Sequence, residues 1–464
     1  MPTDAHNVRN DRHVNADRVG DDPVADWASS GLVALTGRAD GPPLVPPGRA
    51  ASVARALSDR FAELTSGSPD STTARTARVD GAVLDGAVRL DGAALLAERA
   101  AFTGHRRRGT VSAGGACRLL PTADGWAAVS CARPDDPALL GALTCSDVGE
   151  DPWPAVTGWL REHTGAELAE RAGLLGVAAG PVRPPTSPPT SPPTLPRPLR
   201  PRPLAGLLVV DFSALWAGPL CAHLLGLAGA RIVKVETPQR PDGARRGNAE
   251  FYRLLHAGHH SVVLDPATPR GRHALADLVD AADIVIEASR PRALAGFGLD
   301  AEAAVAAGTT WVSITAYGRA YGRIGFGDDV AAASGLVARD TDGTPVFCGD
   351  AIADPLTGLT AAVLAATAPA DGAGVLWDIA MSDVVAATLT PRDPTLTPRD
   401  PTPAPGGTAP RSPAPRRRNG EWVVDTSSGR VPVAAPRRRR ARGRAPDSGE
   451  HTVEVLRELG IPVP

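Results

Sequence analysis

Between Gly206 and Gly318 the chain alternates short β-branched runs with Ala- and Leu-rich stretches of helical period, and that alternation leaves few folds open. GLLVVDF (206–212), RIVKVE (231–236), SVVLD (261–265), DIVIEA (283–288) and WVSITAYG (311–318) read as strands, the last completing the set. AGPLCAHLLGLAGA (217–230) and RGRHALADLVDAA (270–282) read as the helices between them. A strand, a crossover helix and a second strand give parallel pairing, and runs apolar on both faces are what a sheet covered by helices on each side requires. The expected fold class is therefore α/β: a doubly wound, mostly parallel Rossmann-like sheet for a large domain, plus a smaller α+β domain. Ligands of such sheets bind outside the carboxyl ends of the strands, where Asp211, Glu236, Asp265 and Glu287 fall.

Proline sets the boundaries. PVRPPTSPPTSPPTLPRPLRPRP (181–203) reads as an extended linker, and a tandem TLTPRDP from Thr388, followed by a Pro/Arg-rich run, excludes both helix and central strand. The expected organisation is a disordered N-terminus (1–24), an N-terminal half (25–180), the linker (181–203), the large domain (204–387), a low-complexity insertion (388–418) and a C-terminal segment (419–464) returning to the large domain. SGLVALTGRADGPP from Ser30 is echoed by SGLVARDTDGTP from Ser334, a short internal similarity.

At 464 residues and a formal net charge of −2, the chain has room for two or three cores and no global field for nucleic acid. The basic runs Arg416–Arg418 and Arg437–Arg440 lack interleaved aromatics and read as solvated tail. No apolar run approaches the roughly 20 residues of a membrane span, and the polar, acid-containing start lacks a secretory core, so a cytoplasmic protein is expected. Cys117, Cys131, Cys145, Cys221 and Cys348 show no metal or disulfide spacing and read as reduced thiols. No metal, nucleic acid or membrane partner is expected.

Several separated motifs carry a resemblance. VVDFSALWAGPLCAHLLGLAGARIVKVETP, SVVLD, ADIVIEASRP, WVSITAYG, PVFCGDAIADPLTGLTAAVLAA and RAPDSGEHTVEVLRELG are similar, in order, to segments of the family III CoA-transferases, which include formyl-CoA transferase, carnitine CoA-transferase and α-methylacyl-CoA racemase. The resemblance covers about Pro203 to Leu389 and the C-terminal signature. CRLLPTADGWAAVSCARPDD and the stretch to about Val182 resemble the family's small domain, which normally lies between the nucleophile and that signature. The N-terminal half thus resembles a truncated, rearranged second copy, and GRAASVARAL (48–57), where that copy should carry its aspartate, has none.

The resemblance places the covalent nucleophile on Asp354 and CoA contacts at Leu215, Trp216, Ala217, Leu264, Asp265 and Ala293. It implies coenzyme A as acyl-CoA substrate, a small carboxylic acid as co-substrate, and a possible homodimer. A carboxylate ionised at neutral pH attacks a thioester without a general base, and Pro355 suits the first position of a helix whose N-terminus favours an oxyanion. Without the resemblance, an Asp before Pro and an apolar run is an ordinary N-cap. Asp350 reads as a loop residue. Arg245, Arg246, Arg290 and Arg292 are candidates for CoA phosphates or for plain solvated surface, and His259 and His260 for ligand contact or exposure. No GxGxxG follows the first strand, against a dinucleotide coenzyme. Gly327 precedes Asp328 where the family's racemases carry histidine, which favours transfer over racemisation. Two alternatives stay open, a catalytically degenerate CoA-binding protein and an acyl-CoA racemase or isomerase.

Overall fold

The computed structural model describes residues 22–66, 87–183, 199–289, 291–389 and 413–464. Its centre is a six-stranded sheet of β1 (Leu208–Asp211), β2 (Arg231–Glu236), β3 (His260–Val263), β4 (Ile284–Glu287), β5 (Thr310–Thr315) and β6 (Val375–Ala380). All neighbours pair in parallel in the order β6-β5-β4-β1-β2-β3. Five of these strands are those expected from sequence; β6, beside β5 at the edge, was not. Its run VLWDIA is interrupted by exposed Asp378 and only partly buried, so it lacks the continuous apolar signature of the central strands.

The strand alternation assigns each face its core. Val209 and Ile286 point into one apolar cluster and Val210 and Val285 into the other. Helices α1 (Pro23–Ser30), α2 (Ala50–Thr65), α3 (Ala217–Leu227), α4 (Pro269–Asp280), α5 (Gly327–Ala333) and α6 (Ala353–Ala365) supply most of the cover. Buried Leu220 and Leu224 of α3 join Leu356 and Leu359 of α6 on the first face, whereas Leu275 and Leu278 of α4 cover the second. Gly358 permits the close approach of α6 to α3, because a Cβ there would stand 2.5 Å from the carbonyl oxygen of Ala217.

The N-terminal half contributes two parts. Trp27, Leu32 and Phe61, from α1, α2 and the turn between, are wholly buried in the same cluster as α6, and the Trp27 indole donates to the Gly48 carbonyl at 2.8 Å. The second part is the smaller α+β unit: antiparallel strands Cys117–Thr122, Gly125–Ser130 and Ala179–Pro181, with helices Asp136–Thr144, Trp153–Glu162 and Gly165–Leu175 around their own core. Cys117, Leu119 and Ala128 of this sheet pack against Ala332 at the end of α5.

Pro23 and Val24, read from sequence as part of a disordered N-terminus, open α1 beneath the side-chain cap of Asp22; residues 1–21 lie outside the described residues, as do most of the linker (184–198) and most of the insertion (390–412). The basic runs are exposed as expected, apart from half-buried Arg439, but they are held in place and do not form a tail. Arg416–Arg418 forms a strand against Glu421–Thr426. Arg437 bonds Asp91 at 2.8 Å, and Arg439 grips buried Glu98 with Nε and Nη2, each at 2.8 Å. The compensating carboxylates stand more than 300 residues away in sequence, beyond any local signal. The helix Thr452–Glu458 then sets Val455 and Leu456 into the second core, with Arg231 paired to Glu458 at 2.5 Å. No helix among the described residues is long and apolar enough to cross a membrane.

Candidate functional site

In this strand order the chain leaves β1 toward β2 on one side and returns to β4 on the other, so the loops after β1 and β4 diverge and open a crevice. A cleft of about 230 Å³ occupies it. Ala214, Leu215 and Ala217 line it from the β1 loop and the start of α3, Ala288 and Ser289 from the β4 loop, Thr315 and Ala316 from the end of β5 and the residue after it, and Met381 from the start of the helix Met381–Ala387 that follows β6. Gly325 and Phe326 enter ahead of α5, Asp354 from α6, and Arg133 and Arg323 add two guanidinium groups.

The β1 loop is braced from below by Lys234, the single lysine of the sequence, in the middle of β2. Its ammonium is almost fully buried, donates to the Ser213 carbonyl at 2.8 Å and pairs with Asp242 at 2.9 Å. Asp242 in turn accepts from the Leu215 backbone N–H at 3.0 Å. Leu215 is thereby held at φ 69°, left-handed for a β-branched-free but bulky residue, and its side chain is 45% exposed at the cleft. At the end of β1, burial pushes the Asp211 carboxyl up while Lys234 and the Ser213 hydrogen bonds oppose it.

Asp354 is the second residue of α6, which starts at Ala353 with Ile352 in the N-cap position and no side-chain cap. It is not the N-cap, and Pro355 sits third in the helix, which begins two residues before the position read from sequence. The loop ahead is tight, with non-glycine Ala351 at φ 47°. Gly327 faces the nucleophile candidate: a Cβ there would lie 2.4 Å from Asp354 Oδ2 and 2.5 Å from the Ala351 carbonyl oxygen. Burial pushes the Asp354 carboxyl up to about 7, with Arg99 opposing the rise and Asp328, Asp329 and Asp350 adding to it. A group expected to be fully ionised at neutrality therefore titrates there.

Two of the carboxylates around it, Asp350 and Asp329, take side-chain partners from the N-terminal half. Asp350, read as a loop residue, is wholly buried: Arg99 donates to it from Nε at 2.9 Å and Nη2 at 2.5 Å, and His105 Nδ1 lies 3.2 Å away. These partners hold Asp350 well below the usual carboxylate range against its burial. Asp328 accepts from the Ala351 N–H at 2.8 Å and is raised to about 6 by burial and Asp350. Asp329 accepts from Phe326 N–H at 2.9 Å and from the Ser130 hydroxyl at 2.8 Å, and burial raises it to about 7. Arg99, His105, Ser130 and Arg133 carry no local motif, and only the fold brings them here; the Asp328–Asp329 pair was visible in GFGDDV but had no assigned partner.

Of the CoA contacts implied by resemblance, Leu215 and Ala217 line the cleft. Trp216 between them is 2% exposed, edge-on to Phe251 at 5.4 Å, with the Arg99 guanidinium 4.9 Å over its ring. Leu264 is in the core on the opposite face of the sheet. Asp265 accepts from Gln239 Nε2 at 3.2 Å beyond β3, and Ala293 is half-buried in the short helix Pro291–Ala295; neither lines the cleft. Arg245 is committed to Glu236 and rests over Tyr252, Arg246 and Arg292 are exposed, and Arg290 lies outside the described residues. His259 is neither exposed nor at the cleft: burial pushes it down to about 3, while His260 packs 4.9 Å from His451. All five cysteines are free thiols.

The family model for CoA-transferase family III matches residues 11–193 and 204–442. The succinate–glutarate CoA-transferase of Agrobacterium fabrum is 32% identical over 216 residues, covering 41% of this chain and 54% of its own length. The succinyl-CoA–D-citramalate CoA-transferase of Chloroflexus aurantiacus is 28% identical over 207 residues, covering 41% and 52% respectively. The chain thus spans about half the length of the curated relatives it matches. Among solved structures, a CAIB/BAIF family protein from Brucella suis is 25% identical with a TM-score of 0.39, over 50% of this chain and 65% of that one.

Proposed function

Because the chain belongs to CoA-transferase family III, we propose that it moves CoA from an acyl-CoA donor to a small carboxylic acid, with Asp354 as the covalent nucleophile. The observation that carries this is the placement of Asp354: a carboxyl in the first turn of α6, opening on the cleft at the sheet's switch point, with only hydrogen on Gly327 facing it.

In the forward half-reaction a carboxylate oxygen of Asp354 attacks the thioester carbonyl, the C–S bond breaks, and CoA leaves as thiolate. The thiolate then attacks the aspartyl carbonyl of the mixed anhydride, which releases the donor acid and leaves an aspartyl-CoA thioester. The acceptor carboxylate reverses these two steps and departs as its own CoA ester, with Asp354 restored. Each negative intermediate forms at a helix N-terminus, where the backbone dipole favours it. A carboxylate of raised basicity is also the stronger nucleophile once ionised. The apolar wall of Ala214, Leu215, Ala288, Ala316 and Met381 keeps water from the anhydride and thioester.

Racemisation needs an acid–base group at the α-carbon. Position 327 offers none, and a side chain there would collide with Asp354. The assembled carboxylate cluster favours a working site over a degenerate CoA-binding one. The setting fits a cytoplasmic enzyme acting on soluble substrates.

The test is intact and peptide mass spectrometry after incubation with an acyl-CoA panel and hydroxylamine. A hydroxamate at Asp354 that is lost in Asp354→Ala supports the mechanism; tight CoA binding without any adduct would move the reading to the degenerate protein. Deuterium wash-in at the α-carbon of a bound acyl-CoA would instead establish isomerisation.

A further inference from the structure

The Arg99–Asp350 pair spans the chain. Arg99 belongs to the helix Glu98–Thr103 of the N-terminal half, and Asp350 lies four residues before Asp354 on the nucleophile loop. The ion pair is bidentate, Asp350 is wholly buried, and His105 closes its second oxygen. The face of Trp216, next to cleft-lining Leu215 and Ala217, supports the guanidinium from the β1 loop. The residue after Asp350 is the left-handed Ala351, whose N–H is bonded to Asp328. Arg99 therefore touches three parts of the site at once: the nucleophile loop, the β1 loop and, through space, the carboxylate cluster.

We propose that Arg99 is a positioning residue supplied by the N-terminal half, which pins the Asp350–Ala351 loop and acts as the counter-charge that sets the ionisation of Asp354. The rearranged half is then a working part of the site within one chain and not a vestige. The groups facing Asp354 divide by sign. Asp328 and Asp329 on α5 and Asp350 on the loop disfavour its anion, and Arg99 favours it; Arg133 and Arg323 line the same cleft. Arg133 is bonded to Asp136 at 2.6 Å and to the Gly176 carbonyl at 2.8 Å, and Arg323 donates to the Ala179 carbonyl at 3.2 Å over the Tyr317 ring. Of the three arginines, Arg99 is the one tied to the nucleophile loop.

The inference gains its meaning from the reading of Asp354 as nucleophile, but its test does not require turnover. The probe is a water-soluble carbodiimide with an amine, which labels protonated carboxyl groups; the extent of labelling at Asp354 is followed by peptide mass spectrometry as a function of pH. Relative to the full-length wild-type chain, Arg99→Gln should move the midpoint up by about one pH unit, Arg99→Lys should restore part of it, and Asp350→Asn should move it down. Opposite shifts from the two halves of one ion pair are the signature of charge. Loosening of the loop would move both variants the same way, so equal-sign shifts, or none, would overturn the proposal. Circular dichroism checks the fold of each variant, and if Arg99→Gln does not fold, Arg99→Lys and Asp350→Asn still decide the sign. Labelling that follows this pattern in a protein forming no hydroxamate would sink the nucleophile reading while leaving the electrostatic role of Arg99 standing.

Discussion

At the scale of the residue, Asp354 and Gly327 are a matched pair. Because burial and neighbouring carboxylates push the Asp354 carboxyl up to about 7, the folded chain holds a proton there that the unfolded chain releases near 3.8. This group's contribution to stability is therefore full below about 3.8 and is lost as pH rises to about 7. Asp354→Asn should accordingly gain melting temperature over wild type at pH 8 and not at pH 4, as thermal denaturation would show. In the transfer assay kcat/KM should fall roughly tenfold per pH unit below about 7, as the nucleophile protonates; a profile flat down to pH 5 would contradict the assignment. Gly327→Ala forces a methyl group against Asp354 Oδ2 and the Ala351 carbonyl. It should cost about 1–3 kcal/mol in urea denaturation and suppress adduct formation more than it weakens CoA binding.

At the scale of the element, β2 carries a buried charge, Lys234, whose register neighbours are Asp211 on β1 and Ser261 on β3. Lys234 lies within the sheet, yet its ammonium is held by the Ser213 carbonyl and the Asp242 carboxylate, and through Asp242 it fixes the backbone of Leu215. Removing it leaves Asp242 buried beside His256, with no cation in contact. Lys234→Ala should thus destabilise the protein by about 3–5 kcal/mol, read from chemical denaturation, and loosen the β1 loop that lines the cleft. The strands and crossover helices were legible because their residue types repeat with the periods of the elements themselves. The start of α6 was not: Asp-Pro signals a helix N-terminus at Asp354, but Ile352 occupies the N-cap position, and the difference decides whether the carboxyl is spent on the helix or faces the cleft.

At the scale of the whole molecule, the two halves share one core. Trp27 and Phe61 are packed in the same cluster as Leu356 and Leu359, and Arg439 closes the C-terminal strand of chain onto Glu98. Calorimetry should therefore show the α1–α2 segment melting together with the sheet, in a main transition whose calorimetric to van't Hoff enthalpy ratio is about 1; a separate early transition removed by deleting residues 1–66 would contradict the shared core. The alternation of strand and helix and the family motifs, including the one that singles out Asp354 as a candidate, were fixed by residues close together in the sequence, since period, turn chemistry and motif are local properties. What only the tertiary structure decided was which distant charges meet: Arg99 and His105 on Asp350, Ser130 on Asp329, Glu98 on Arg439. Electrostatic partners depend on through-space distance and burial, and neither is written in the order of residues along the chain.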